Sequence, residues 1–177
     1  MTTAATSAQA PARRLRVEDL QARNLRELEQ LYREAPEPRE VRGLDGTPQG
    51  TMLATAGLDW KPVAQVLRAF NDSQLFPWLG KGFSSEARES GTGNNRLNIL
   101  GYETERFSFT TCLDDSVLDG RRCILLNYDH PGNPAPIRRI RDELREVSPG
   151  LFFGPALVRL GGGYHTVLYF SLDFSRD

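Results

Sequence analysis

The hydrophobic pattern is clearest near the end of the chain, where two apolar-rich runs flank three consecutive glycines. The segment Leu151–Phe174 has the sequence LFFGPALVRLGGGYHTVLYFSLDF. Gly161, Gly162 and Gly163 supply the backbone freedom that a tight turn between two strands requires. A final strand this apolar must be buried, so we expect it to close a sheet or a barrel.

Alternating apolar and polar positions predict further strands before this hairpin. Within Tyr102–Leu113, one face carries Phe107, Phe109, Thr111 and Leu113. Other strands are predicted at Thr51–Ala56, Lys81–Phe83, Arg96–Leu100 and Arg121–Tyr128. The polar, glycine-containing residues 84–95 are predicted to form a mobile loop.

Three segments have the apolar spacing of helices. Residues 15–34 carry their apolar side chains largely on one face, and Pro36 and Pro38 end that helix. Trp60–Asn71 repeats apolar residues at helical spacing, and a third helix is predicted to begin at Pro136. Its buried stripe comprises Ile137, Ile140, Leu144 and Val147, and its exposed ion pairs are Arg138–Asp142 and Arg139–Glu143.

The order of these elements predicts the fold class. Hairpins dominate and no βαβ alternation is visible, which indicates a mainly β (α+β) protein. We expect an antiparallel β-barrel with an N-terminal amphipathic helix and two short helices, because closure removes exposed strand edges. The full chain has 39% hydrophobic residues, enough for a sizeable core. We therefore expect residues 15–177 to form a single domain after a disordered tail at residues 1–14.

Composition and charge narrow the classes of function. The formal net charge of −1 gives no global electrostatic case for nucleic-acid binding. The first residues lack the apolar run of a secretory signal and no segment is long enough for a membrane span, so a cytoplasmic protein is expected. Cys112 and Cys123 flank a predicted hairpin; we expect buried free thiols, with a disulfide between neighbouring strands as the alternative.

No motif for a bound cofactor or metal is present. The chain lacks the glycine-rich motifs that bind phosphates and dinucleotides, the Gly-x-Ser-x-Gly motif of serine hydrolases and the Cys-x-x-Cys motif. The two histidines have no cysteine or glutamate at ligand spacing, so we expect neither a metal site nor a cofactor.

Asp129 and His130 are the candidate catalytic residues, because a carboxylate beside an imidazole is used in acid–base catalysis. Neighbouring residues of an extended chain point to opposite faces, so the alternative is that Asp129 bonds turn amides and His130 is half exposed. His165 begins the last strand, on a face that is either solvent-exposed or lines a pocket of mixed polarity. That face also carries Val167, Tyr169, Ser171 and Asp173.

Lys81 lies between two glycines, Gly80 and Gly82. An ordinary exposed lysine is expected there. The alternative is a desolvated lysine that acts as a base or binds an anion.

Aromatic residues are the more suggestive candidates for ligand binding. Phe76-Pro77-Trp78 lies in a predicted loop, where large apolar groups need cover from the first helix or form the rim of an opening. An eight-stranded barrel has room for side chains or for one small ligand. The candidate ligand-binding residues are Trp78, Phe83, Tyr102, Tyr128, His165 and Tyr169.

Two segments resemble calycin-like, lipocalin-like proteins of an uncharacterised bacterial branch. Asn127–Leu160, which contains GLFFG, is similar to the late strands of that group, and Leu44–Leu53, LDGTPQGTML, is similar to its first strand. The resemblance implies a β-barrel that holds a hydrophobic or amphipathic small molecule. It carries over no catalytic residue.

The leading hypothesis for function is therefore binding of a small hydrophobic molecule inside the barrel. The alternative is a cofactor-independent enzyme, a cyclase or isomerase, that uses the same pocket. Its acid–base candidates are Asp129, His130, His165, Tyr128 and Tyr169. A cone of the nuclear-transport-factor-like class is a third possibility, although it usually groups its helices before the sheet. The sequence leaves the ligand and the oligomeric state open.

Overall fold

The protein forms a closed antiparallel barrel of eight strands, seen in a computed structural model that describes residues 14–55 and 78–175. Each strand pairs with the next along the chain, and β8 returns to pair with β1. The predicted mainly β fold class is confirmed. The strands are β1 Gln49–Thr55, β2 Trp78–Ser85, β3 Ser90–Ile99, β4 Tyr102–Asp115, β5 Arg122–Asn127, β6 Ile140–Ser148, β7 Leu151–Leu160 and β8 Gly163–Asp173.

Two of the sequence predictions lie outside the described residues. These are the helix at Trp60–Asn71 and the first two residues of Phe76-Pro77-Trp78. The same holds for residues 1–13 of the predicted tail.

The predicted N-terminal helix is divided into α1, Val17–Gln21, and α2, Leu25–Glu34. Asn24 separates them because it caps the second helix: its Oδ1 accepts from Glu27 N at 3.1 Å, and Glu27 Oε2 accepts from Asn24 N at 2.9 Å. Leu28 and Tyr32 are fully buried against the outer wall of the barrel. The helices therefore cover the outside of the barrel.

The helix predicted from Pro136 to Val147 is wrong. A short 3₁₀ turn, Ile137–Arg139, leads directly into strand β6. The same segment can also adopt an extended conformation, and its pairing with β5 and β7 stabilises the strand over the helix. Both predicted ion pairs are consequently wrong: the carboxylate that pairs with Arg138 is Asp129, and the guanidinium that pairs with Glu143 is Arg141.

The loop predicted over residues 84–95 is also wrong, because β3 begins at Ser90. The glycines in this strand make room for neighbouring groups. A Cβ on Gly93 would lie 2.5 Å from ring carbons of Phe109 on the adjacent strand. The glycine-rich composition thus reflects close packing inside the sheet rather than a loop.

The last two strands form as predicted, joined by a turn in which Gly161 and Gly162 have positive φ angles of 57° and 88°. The predicted core face of β8 is confirmed at Phe170 and Leu172, which are buried inside the barrel. A register shift opposite Ala156/Leu157 brings Val167 into the same core.

The two cysteines are free thiols, as expected, and Cys123 is buried, but Cys112 is only partly buried. Cys112 lies opposite Leu125 and Cys123 lies opposite Asp114, so the register keeps them from facing each other. No helix within the described residues is long and apolar enough to cross a bilayer.

Candidate functional site

Lys81 lies inside the barrel, where only 3% of its surface is exposed. The expectation of an ordinary exposed lysine is therefore wrong, and the alternative of a desolvated lysine describes the structure. Strand alternation explains the burial, because Lys81 projects from β2 into the interior while the neighbouring positions are glycines. A buried ammonium needs a partner, and the opposite wall supplies one.

Four side chains form what we call the polar cluster: Lys81, Asn95, Tyr128 and Asp142. Lys81 Nζ lies 2.9 Å from Asp142 Oδ2 and donates to Asn95 Oδ1 at 3.0 Å. Lys81 also donates to Tyr128 Oη, which in turn donates to Asp142 Oδ2 at 3.1 Å. All four residues are buried, and they come from four different segments of the chain.

Aromatic rings enclose the ammonium. Lys81 Nζ lies between 5.0 and 5.6 Å from the ring centroids of Trp78, Phe109, Tyr128 and Phe170. At these distances the ring faces stabilise a cation by cation–π attraction. Trp78 is also tied to the polar cluster, because its Nε1 donates to Asn95 Oδ1 at 3.2 Å.

The apolar surroundings shift the ionisation of the cluster. Burial lowers the pKa of Lys81, and the attraction of Asp142 opposes that shift without cancelling it. Burial, followed by the negative charge of Asp142, raises the pKa of Tyr128 well above its usual value. Tyr128 therefore remains a hydrogen-bond donor, and the Lys81 amine is easier to deprotonate than an exposed lysine.

One acceptor of the polar cluster is unused. Asp142 Oδ1 is buried and has no hydrogen-bond partner within the described residues. A buried polar atom left unpaired costs about 1–3 kcal/mol, and more when the group is charged. A donor brought by a bound molecule would remove that cost.

The structure brings three of the predicted ligand-binding residues to this region. Trp78 and Phe83 are partly buried beside the apolar core of the barrel, and Tyr128 belongs to the polar cluster. Tyr102 is 78% exposed at the turn between β3 and β4, and His165 is exposed near the start of β8.

Tyr169 lies on the outer wall of β8, where it packs against Phe153 in the apolar cluster that contains the α1 and α2 side chains. Tyr169 is therefore neither solvent-exposed nor part of the barrel interior, whereas His165 of the same predicted face is exposed and Val167 is in the interior core. The ligand-binding roles of these residues remain predictions.

The structure does not bring the two predicted catalytic groups together. Asp129 Oδ1 pairs with Arg138 Nη2 at 2.7 Å, and His130 Nδ1 accepts from Gly132 N at 3.2 Å. Both residues are exposed in the loop after β5. Their catalytic role also remains a prediction.

Sequence reasoning missed Asn95 and Asp142, because it placed one in a loop and the other in a helix. Asp142 is two residues from both Ile140 and Leu144, which puts the three side chains on one face once the segment is a strand. Leu144 is fully buried inside the barrel.

A groove on the outer surface has a volume of about 680 Å³. Its lining residues are Pro36, Glu37, Pro38, Arg39, Arg121 and Arg122. Arg121 Nε pairs with Glu37 Oε1 at 3.1 Å, so part of the positive charge of the groove is already compensated.

Within the described residues, no group of three His, Cys, Asp or Glu side chains is arranged to hold a metal ion.

Comparison with known proteins supports the fold. A crystal structure of a protein from Thermomonospora curvata is similar, with a TM-score of 0.50 and 19% sequence identity over 86% of this chain and 88% of that chain. No protein-family model matches this chain, and no curated protein matches it. At this identity, the likeness establishes the barrel architecture alone.

Proposed function

We propose that this protein binds a small amphipathic molecule inside its barrel, as the resemblance to calycin-like proteins implies. The observation that supports this most is the unpaired Asp142 Oδ1, a buried acceptor within a largely apolar interior. Ligand sites in proteins combine such apolar linings with a few fixed polar groups.

The chemistry of the polar cluster indicates the ligand class. Lys81 and Asp142 compensate each other's charge, so the site does not require a charged ligand. Asp142 Oδ1 requires a donor, which a hydroxyl or an amine provides. The proposed ligand therefore has an apolar body and one hydrogen-bond donor at its polar end.

Entry of a ligand requires the rings around Lys81 to separate. Trp78 is the partly buried member of this group and contacts Phe170 at a centroid distance of 5.7 Å. Phe83, also partly buried, contacts Phe109 of the group at 5.4 Å. A Cβ on Gly50 would lie 2.6 Å from the Trp78 ring, so this ring packs directly on the backbone of β1. We expect Trp78 to move when a ligand enters.

Calorimetric titration with two matched probes tests the proposal. Octanol has an apolar chain and a hydroxyl donor, whereas methyl octyl ether has a similar chain and no donor. A hydrogen bond to a charged group contributes about 1.5–3 kcal/mol, so octanol should bind roughly 10–100-fold more tightly than the ether.

The Asp142→Asn variant should lose most of this preference for octanol while its affinity for the ether stays similar. His130→Ala and Asp129→Asn are matched controls in an exposed loop and should bind octanol like the unaltered protein. Equal affinity for the two probes, or an octanol affinity that depends on His130, would contradict the proposal.

A further inference from the structure

Lys81 is a nucleophilic side chain in an apolar enclosure, and ligand binding through Asp142 Oδ1 does not use its nucleophilicity. We propose that Lys81 captures apolar aldehydes covalently and reversibly, as a protonated imine paired with Asp142 inside the barrel. This inference rests on the proposed function, because the aldehyde must enter the same interior.

The first requirement is a neutral amine, and the ion pair itself can supply one. Lys81 Nζ and Asp142 Oδ2 are 2.9 Å apart, so a proton can pass directly from the ammonium to the carboxylate. Burial of Lys81 lowers its pKa, so its neutral amine is more accessible than that of an exposed lysine.

The covalent step then balances within the polar cluster. The lone pair of Nζ attacks the aldehyde carbon, the C=O π bond breaks, and the proton shed by nitrogen reaches the oxygen to give a carbinolamine. The carboxylic acid of Asp142 next protonates the hydroxyl, which leaves as water while the nitrogen lone pair forms the C=N bond. No oxidant or reductant is consumed. The protonated imine carries the charge that the ammonium carried, so it keeps its pairing with the Asp142 carboxylate.

Two further contacts suit this sequence of proton transfers. Asp142 Oδ1, the unpaired acceptor, is available to receive a hydrogen bond from the carbinolamine hydroxyl. Tyr128 Oη contacts both Lys81 Nζ and Asp142 Oδ2, so it can relay a proton between nitrogen and oxygen. The surrounding rings exclude water and slow hydrolysis of the imine.

Reductive trapping on the full chain tests the inference. The protein is incubated with octanal and sodium cyanoborohydride at neutral pH, and the modified residue is located by peptide mapping with mass spectrometry. Lys61 is the chain's other lysine and serves as an internal reference. Positioned acid–base groups accelerate reactions by about 10²–10⁴-fold, so Lys81 should gain an octyl group at least about 10-fold faster than Lys61.

Variants separate this reaction from ordinary amine chemistry. Lys61→Arg should leave the labelling of Lys81 unchanged, Lys81→Arg should abolish the fast labelling, and Tyr128→Phe should slow it. Mapping the label on the unaltered protein does not depend on whether these variants fold.

If octanol binds but octanal labels only Lys61 and the terminal amine, the covalent inference is overturned while the binding function stands. If neither octanol nor octanal enters the barrel, the proposed function fails and the inference fails with it.

Discussion

Lys81 and Asp142 are two charged residues inside an apolar barrel, and each has only 4% of its side chain exposed. Removing a charge from water costs several kcal/mol, and the attraction between the partners offsets that cost only while both are present. Either residue alone would be an uncompensated buried charge. The pair therefore gives the interior a fixed polar centre, and it lowers the free energy of unfolding relative to a wholly apolar interior.

Replacing one partner should consequently be much worse than replacing both. Lys81→Met is expected to lower the free energy of unfolding by about 3–5 kcal/mol, because Asp142 is left unpaired. The double variant Lys81→Met/Asp142→Leu should regain most of that loss. Urea unfolding of the single and double variants measures both effects. A double variant as unstable as the sum of the single changes would show that the pair is not coupled.

The Cys123 thiol makes stability depend on alkaline pH. Burial, followed by the charge of Glu143, raises its pKa from 9.0 to about 12. The folded state thus holds a proton that the unfolded state releases above pH 9. This contribution is fully present below pH 9 and is lost between pH 9 and 12, at about 1.4 kcal/mol per pH unit.

Cys123→Ala should therefore lose stability less steeply between pH 8 and 11 than the unaltered protein, as measured by urea unfolding. Cys112→Ala is the matched control, because Cys112 is only partly buried and should change the slope less. Parallel pH curves for Cys123→Ala and the unaltered protein would contradict this role of burial.

At the scale of elements, a second buried network attaches α2 to the barrel. Tyr32 Oη donates to Glu143 Oε2 at 3.0 Å, and Arg145 Nη1 donates to the carbonyl oxygen of Tyr32 at 2.8 Å. Arg145 also forms a bidentate pair with Asp119 in the connection between β4 and β5. The outward face of β6 thereby fixes both the helix and that connection, while its inward face carries Asp142.

Deleting residues 1–35 should lower the melting temperature, because α1 and α2 cover apolar side chains of β7 and β8. Each fully buried large apolar side chain contributes about 1.5–3 kcal/mol, and three such side chains, Leu20, Leu28 and Tyr32, are lost. We expect a decrease of more than about 10 °C in calorimetry. Deleting residues 1–13 is the control. A similar melting temperature for both truncated chains would show that the helices do not brace the barrel.

The strands that were predicted from sequence share a strong local signal. Tyr102–Leu113 and Arg121–Tyr128 alternate or are densely apolar, and each becomes a strand. The apolar residues Ile140, Leu144 and Val147 of the β6 segment have helical spacing, and only the even spacing of Ile140 and Leu144 is compatible with a strand. Pairing with β5 and β7 decides between helix and strand, and local sequence does not contain that information.

The candidate site was harder to predict than the fold for a related reason. Lys81 and Asp142 meet only because β2 and β6 lie on different walls of one closed sheet. No spacing in the sequence reports a contact across the barrel. Phe83 and Tyr128 were predicted within strands, whereas Trp78 was predicted in a loop, where a large ring needs cover or forms the rim of an opening. The structure places Trp78 at the start of β2, beside the core.

At the scale of the whole molecule, the barrel has an apolar interior that contains the polar cluster. Val41 and Leu44, around the 3₁₀ turn Arg42–Leu44, pack into the core. This turn lies beside β2, where Gly46 pairs with Phe83. Asp142 lies near the start of β6, and Tyr128 directly follows β5, so these two members of the cluster lie near the connection between the two strands. We expect a ligand to place its polar end there.

A crystal structure of the protein grown with octanol tests the central claim most directly. We expect electron density for the alkyl chain inside the barrel, with the hydroxyl oxygen within hydrogen-bond distance of Asp142 Oδ1 and the Trp78 ring displaced. Octanol bound only in the outer groove beside Arg121 and Arg122, with the rings around Lys81 unmoved, would contradict the account.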